Sequence, residues 1–187
     1  RLIAGVDTGF TDEGRTARAA IALYAFPELE PVECVTALEP VRFPYVPGLL
    51  SFREIPVVLK ALDQLAQRPD LLLCDGQGIA HPRRVGIATH LGLVTGISSI
   101  GVGKSRLTGH YREPGQDKGD RSPLMAGSER IGTVLRSRSG VRPLFVSPGH
   151  LVTHQEAVDW VLRCLTRYRL PEPIRMADRI ASARGRK

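Results

Sequence analysis

No apolar run in this sequence approaches the roughly 18 residues of a membrane span, so no membrane association is expected. No signal peptide is evident either. Leu2-Ile3-Ala4-Gly5-Val6 is too short for a signal core and runs into Asp7. Cysteine is scarce. Cys34, Cys74 and Cys164 lie far apart and form no metal-ligand pair. Their odd number suits buried thiols in a reducing compartment, and a cytoplasmic location is the expectation. There is no internal repeat and no low-complexity segment. Acidic residues are outnumbered: 19 Asp and Glu face 26 Lys and Arg, for a net charge of +7 and a pI near 9.8. Such an excess favours a polyanionic partner, nucleic acid first. A basic but uncommitted surface is the alternative.

What remains is a globular composition. The 187 residues are 42% hydrophobic and 24% charged, which suits one domain with a sizeable core. The chain begins abruptly in strand-like residues, so upstream residues are expected to be missing.

One stretch organises the rest: Leu71 to Gly86, LLLCDGQGIAHPRRVG. Leu71 to Cys74 suits a strand buried on both faces. Asp75 stands at its carboxyl end, before Gly76-Gln77-Gly78. Open α/β sheets place ligand and metal groups at such positions. Alternatively, Asp75 only turns the chain. Leu2 to Val6 repeats the pattern, ending in Asp7-Thr8-Gly9. Strands are expected at Arg18–Phe26 and Val32–Leu38. With the first they form a three-strand antiparallel meander, turned at Asp12-Glu13-Gly14. Further strands are expected at Ser98–Val102, Arg130–Ser139 and Pro143–Val146. Helices are expected over Ser51–Gln67, Arg83–Leu93 and Thr153–Tyr168, with capping boxes at Ser51–Glu54 and Thr153–Glu156. Residues 169–187 read as a proline-containing, then basic, C-terminal extension. The expected fold is α/β: a mixed sheet, meander plus parallel strands, flanked by helices. A right-handed crossover would set the Asp75 strand beside the Asp7 strand.

Two carboxylates at adjacent strand ends repel, and a divalent cation relieves this best. Oxygen ligands favour Mg²⁺, with Mn²⁺ as a substitute, over Zn²⁺. In a basic protein that points to phosphodiester chemistry. His150, after Ser147-Pro148-Gly149, could orient or deprotonate a water. Lys104, after Ile100-Gly-Val-Gly103, could balance charge on a phosphate. Either residue alone could equally be structural. Glu54 has two readings, a helix cap or a carboxylate that meets a metal-bound water. Pro40–Leu50 is apolar, aromatic and stiffened by prolines, unlike most loops. It either packs on the core or touches an apolar part of a ligand.

These stretches resemble the endonuclease V family. The similarity is carried by Gly5-Val-Asp7, Phe43-Pro-Tyr-Val-Pro-Gly-Leu-Leu-Ser-Phe-Arg-Glu54, Asp75-Gly-Gln-Gly-Ile-Ala-His-Pro-Arg-Arg-Val-Gly86, Ile100-Gly-Val-Gly-Lys104, Ser147-Pro-Gly-His150 and Tyr168-Arg-Leu-Pro-Glu-Pro173. The family's first helix, upstream of the first strand, has no counterpart here. The resemblance implies a ribonuclease H-like fold, a single endonuclease domain over 1–187, and a Mg²⁺-dependent DNA repair endonuclease, expected as a monomer. The implied substrate is DNA containing deoxyinosine, cut at the second phosphodiester bond 3′ to the lesion, leaving a 3′-hydroxyl and a 5′-phosphate. Inosine-containing RNA is the alternative substrate, and a non-catalytic nucleic-acid-binding module the alternative role. Carried over by motif, Asp7, Asp75 and Glu54 match the metal site, and Lys104 and His150 the further catalytic positions. Pro44, Tyr45 and Pro47 resemble a strand-separating wedge. Gly48, Leu50, Gly76, His81, Gly86 and Ile87 would line the pocket for the extruded base.

Overall fold

The computed structural model describes residues 1–182. β1 (Leu2–Thr11), β2 (Thr16–Ala25) and β3 (Glu30–Pro40) form the expected antiparallel meander, with the Asp12–Gly14 turn closing its first hairpin. α1 (Ser51–Leu62) crosses back to β4 (Leu71–Cys74), which pairs parallel with β1. α2 (Ile87–Thr95) leads to β5 (Ser98–Gly103), parallel to β4. β6 (Arg121–Ala126), β7 (Glu129–Leu135) and β8 (Leu144–His150) complete an eight-stranded mixed sheet. Its order is β3-β2-β1-β4-β5-β8-β7-β6. α3 (His154–Arg163) and α4 (Glu172–Ser182) follow. The arrangement is the ribonuclease H-like sheet that the resemblance implied. Among the described residues, no helix is long and apolar enough to cross a membrane.

The sheet is covered on both faces, and β4 shows why its sequence is continuously apolar. Leu72 and Cys74 join a core with residues of α1 and α2. Leu71 and Leu73 point the other way, into a core with residues of α3 and Ile174 of α4. Side chains alternate across a strand, so a central strand has no polar side to offer. Each fully buried leucine contributes about 1.5–3 kcal/mol relative to exposure.

Several local expectations need correction. The capping box at Ser51–Glu54 is absent: Leu50 is the N-cap, with helical φ −57° and no side-chain capping bond. Tertiary partners take both side chains. Ser51 Oγ lies 3.0 Å from His90 Nδ1, and Glu54 accepts from Thr8 Oγ1. The box at Thr153–Glu156 does form, with Glu156 N–H donating to Thr153 Oγ1 at 3.2 Å and Thr153 N–H to Glu156 Oε2 at 2.7 Å. α2 starts at Ile87, because the chain turns at His81–Arg84, where Arg84 N–H donates to His81 O at 2.9 Å and Arg84 takes φ 58°, and Gly86 before the helix is extended. The basic extension expected over 169–187 is helical over Glu172–Ser182, with Pro173, Ile174 and Ala177 buried. Residues 183–187 of that extension lie outside the described residues.

Candidate active site

The parallel pairing of β1 with β4 puts Val6 opposite Cys74, so Asp7, within β1, and Asp75, just past the end of β4, follow side by side at the same level of the sheet. Asp75 N–H donates to Val6 O at 2.9 Å and fixes that end. Asp7 shares the strand parity of Ile3 and Gly5, which face the α4 side. α4 comes very close here. A Cβ on Gly5 would lie 2.0 Å from Pro173 O, so only glycine admits this approach. α4 in turn delivers Asp178. Carboxylate oxygens of Asp7, Asp75 and Asp178 all lie within 4.8 Å of one another.

Lys104, just past the end of β5, is bound into this group. Its ammonium lies 2.5 Å from Asp75 Oδ2 and 2.5 Å from Asp178 Oδ1. Burial alone would lower its pKa, but the hydrogen bonds to Asp178 and Asp75 outweigh it and raise the value. Burial, with repulsion from Asp75, pushes Asp7 up to about 7. Burial raises Asp75 as well. Arg169 supports the lysine from behind, its Nη2 donating to Lys104 O at 2.8 Å and Pro143 O at 2.9 Å.

Glu54 stands apart from the trio. It approaches from α1, on the opposite face of β1, where Thr8 donates to its Oε1. Burial pushes it up to about 7, with Asp75 adding to the shift. It joins Asp75 in the wall of a cavity of about 310 Å³. Of the expected pocket residues, Tyr45, Pro47, Gly48, Leu50, Gly76, His81, Gly86 and Ile87 line this cavity, and Pro44 does not. Gly76 adopts φ 150°, and a Cβ there would lie 2.7 Å from Ile87 Cγ2. His81 is buried, which with Arg83 lowers its pKa, and its Nδ1 accepts from Arg83 N–H at 3.2 Å. Arg83 Nη1 donates to Gly48 O at 3.0 Å and ties down the aromatic loop. Tyr45 on that loop is 71% exposed, which is no core aromatic.

His150 does not join the site. β8 runs antiparallel to β5, pairing His150 with Ser99 and Phe145 with Gly103. The carboxylates and Lys104 lie at the Gly103 end, about 13 Å along the strand from Ser99. His150 packs instead on α2, where a Cβ on Gly92 would lie 2.4 Å from its own Cβ. The strand continues through Ser147-Pro148-Gly149 and carries the histidine away. Sequence reasoning missed Asp178, because it lies in the stretch read as an extension. It also missed Thr8, Ser51, Gln77 and Leu107. Thr8 had a signal, being next to Asp7.

A sheet of this topology, with three carboxylates and a lysine converging at its strand ends beside a cavity, defines a ribonuclease H-like protein with an acidic, cation-type site. The family profile described as Endonuclease V matches residues 1–179. The endonuclease V of Alkalilimnicola ehrlichii is 64% identical over 184 residues, 98% of this chain and 81% of that protein. The crystal structure of endonuclease V from Streptomyces avermitilis superposes with TM-score 0.93 at 46% identity, over 97% of this chain and 79% of that one. Ciona intestinalis endonuclease V, in complex with DNA containing an inosine followed by a ribo-adenosine, gives TM-score 0.83 at 28% identity, covering 96% and 83%. The chain belongs to the endonuclease V family and is a nuclease.

Proposed function

We propose that this nuclease holds a deaminated purine, deoxyinosine in DNA, in the cavity beside the carboxylates and hydrolyses the second phosphodiester bond on its 3′ side. The products would be a 3′-hydroxyl and a 5′-phosphate. One observation carries the reading. Asp75 belongs at once to the cavity wall and to the acidic cluster, and Glu54 lines the same wall, which supports base recognition and strand cleavage sharing one place. The inosine-containing DNA bound by the Ciona relative supports the choice of base.

The acidic donor set fits a hard divalent cation. It is all carboxylate oxygen, and its proton affinities are raised by burial and mutual repulsion. Asp7, Asp75 and Asp178 would hold Mg²⁺ or Mn²⁺, which would polarise the phosphate and make a bound water more acidic. Lys104 sets a fixed positive charge against the cluster, where a scissile phosphate adds negative charge. Glu54, raised to about 7 and held by Thr8, is poised to exchange a proton with water rather than to join the trio. At the cavity, Gly76 and Gly86 let backbone groups reach the base edge. Rotating a base out of the duplex costs about a few kcal/mol, and the exposed Tyr45 ring can replace the lost stacking.

A second reading concerns the sugar. The DNA in the Ciona complex carries a ribonucleotide after the inosine, which favours testing inosine in RNA as well. The decisive assay uses an end-labelled duplex with a single deoxyinosine, and its matched ribose version, in Mg²⁺. One nick at the second bond 3′ to the lesion supports the reading. Faster cleavage of the ribose version would move the substrate to RNA. Cleavage indifferent to the lesion would overturn the reading.

A further inference from the structure

One side chain links the aromatic loop to the acidic site. Arg53 lies in the first turn of α1, immediately before Glu54. Its guanidinium carbon is 4.7 Å from the Phe10 ring centroid and 5.9 Å from that of Tyr45. Its Nη2 donates to Gly14 O at 2.8 Å, in the turn between β1 and β2. Phe10 follows Thr8 by two residues, so both project from one face of β1. β1 and α1 are therefore stitched twice in succession, Thr8 to Glu54 and Phe10 to Arg53.

Tyr45 needs such support. It stands 71% exposed on a loop without regular structure. A ring so placed samples several rotamers, and ordering it on binding costs free energy. Among the described residues, Arg53 is the cation that meets its face. A guanidinium is planar and stacks on rings, whereas an ammonium is a point charge with no plane to offer. Arg53 Nε is buried without a hydrogen-bond partner, so the plane is held by the Phe10 ring and the Gly14 carbonyl.

We propose that Arg53 is a positioning residue for Tyr45. It fixes the ring in the orientation that enters the base stack, and through α1 it ties that orientation to the carboxylates. The proposal rests on the reading of the aromatic loop as a strand-separating wedge.

The test uses the full chain in chelator, so that no strand is cut, and a duplex with 2-aminopurine beside deoxyinosine. Fluorescence at saturating protein reports unstacking. Arg53→Met should weaken unstacking about two- to fivefold, the size of an exposed cation–π contact. Arg53→Lys should melt like wild type yet restore only part of the signal. In a Tyr45→Ala background, Arg53→Met should have no further effect. An equal loss in that background, or an unchanged signal with only a lower melting temperature, would make Arg53 merely structural and overturn the proposal alone. Unstacking unaltered by Tyr45→Ala itself would remove the wedge reading, and this proposal with it.

Discussion

Lys104→Met should destabilise the metal-free protein far more than the metal-bound one. The ammonium lies 2.5 Å from both Asp75 and Asp178, with side-chain exposures of 39%, 11% and 37% for the lysine and the two aspartates. An exposed ion pair is worth about 0–1 kcal/mol. Breaking a buried one by deleting a partner costs about 3–5 kcal/mol. These pairs are intermediate, and about 2 kcal/mol is the expected loss. For a domain of this size each kcal/mol moves the melting temperature by about 2–4 °C, so a fall of about 4–8 °C is expected in chelator. Methionine keeps the stem and removes the charge, which leaves the carboxylates repelling one another. A divalent ion neutralises the same carboxylates, so excess Mg²⁺ should close most of the gap. Thermal unfolding of both proteins, in EDTA and in Mg²⁺, measures it. An equal gap in both conditions would refute the idea that lysine and metal answer the same charge.

Other perturbations probe separate parts of the account. Tyr45→Ala should weaken binding to deoxyinosine duplexes while leaving the melting temperature nearly unchanged, since the ring is 71% exposed; a large drop in melting temperature would contradict its placement. Gly76→Ala should cost about 1–3 kcal/mol in unfolding experiments, because φ 150° is strained for any L side chain. It should also weaken lesion binding, through the 2.7 Å approach to Ile87. Asp7 and Glu54 are raised from 3.8 and 4.5 to about 7, so the folded state holds their protons more tightly than the unfolded state does. Their stabilising contribution is therefore complete below about pH 4 and is lost as pH rises through 7. Melting curves in EDTA should show this fall in wild type and a smaller one in an Asp7→Asn, Glu54→Gln double variant, which keeps the raised Asp75. Parallel curves would contradict it.

The parts of the site legible in the sequence were those fixed by central strands. β1 and β4 each read as an apolar run ending in aspartate, and nothing but parallel pairing was needed to bring Asp7 and Asp75 together. The lining of the cavity was legible only through the family resemblance; the prolines and aromatics of the loop left core packing and ligand contact equally open, and the exposure of Tyr45 decides between them. Asp178 was hidden for the opposite reason. Proline at 171 and 173 and a high proportion of charge masked a short helix whose buried face is only Pro173, Ile174 and Ala177. A clue was present in Gly5, which makes room for that helix on a strand where a larger residue would otherwise pack. His150 misled because a strand ending at Val146 would have left it in a loop. The strand continues to residue 150, and its direction, set by pairing with β5, leads away from the carboxylates. The capping pattern at Ser51–Glu54 failed because tertiary partners, His90 and Thr8, outcompeted local backbone groups.

The measurement that bears most directly on the central claim is anomalous scattering from Mn²⁺ in crystals of the protein. The account predicts a peak enclosed by the carboxylates of Asp7, Asp75 and Asp178, with Lys104 no longer bridging the last two. Ordered Mn²⁺ elsewhere, with the Lys104 ion pairs intact and no peak among these aspartates, would contradict it.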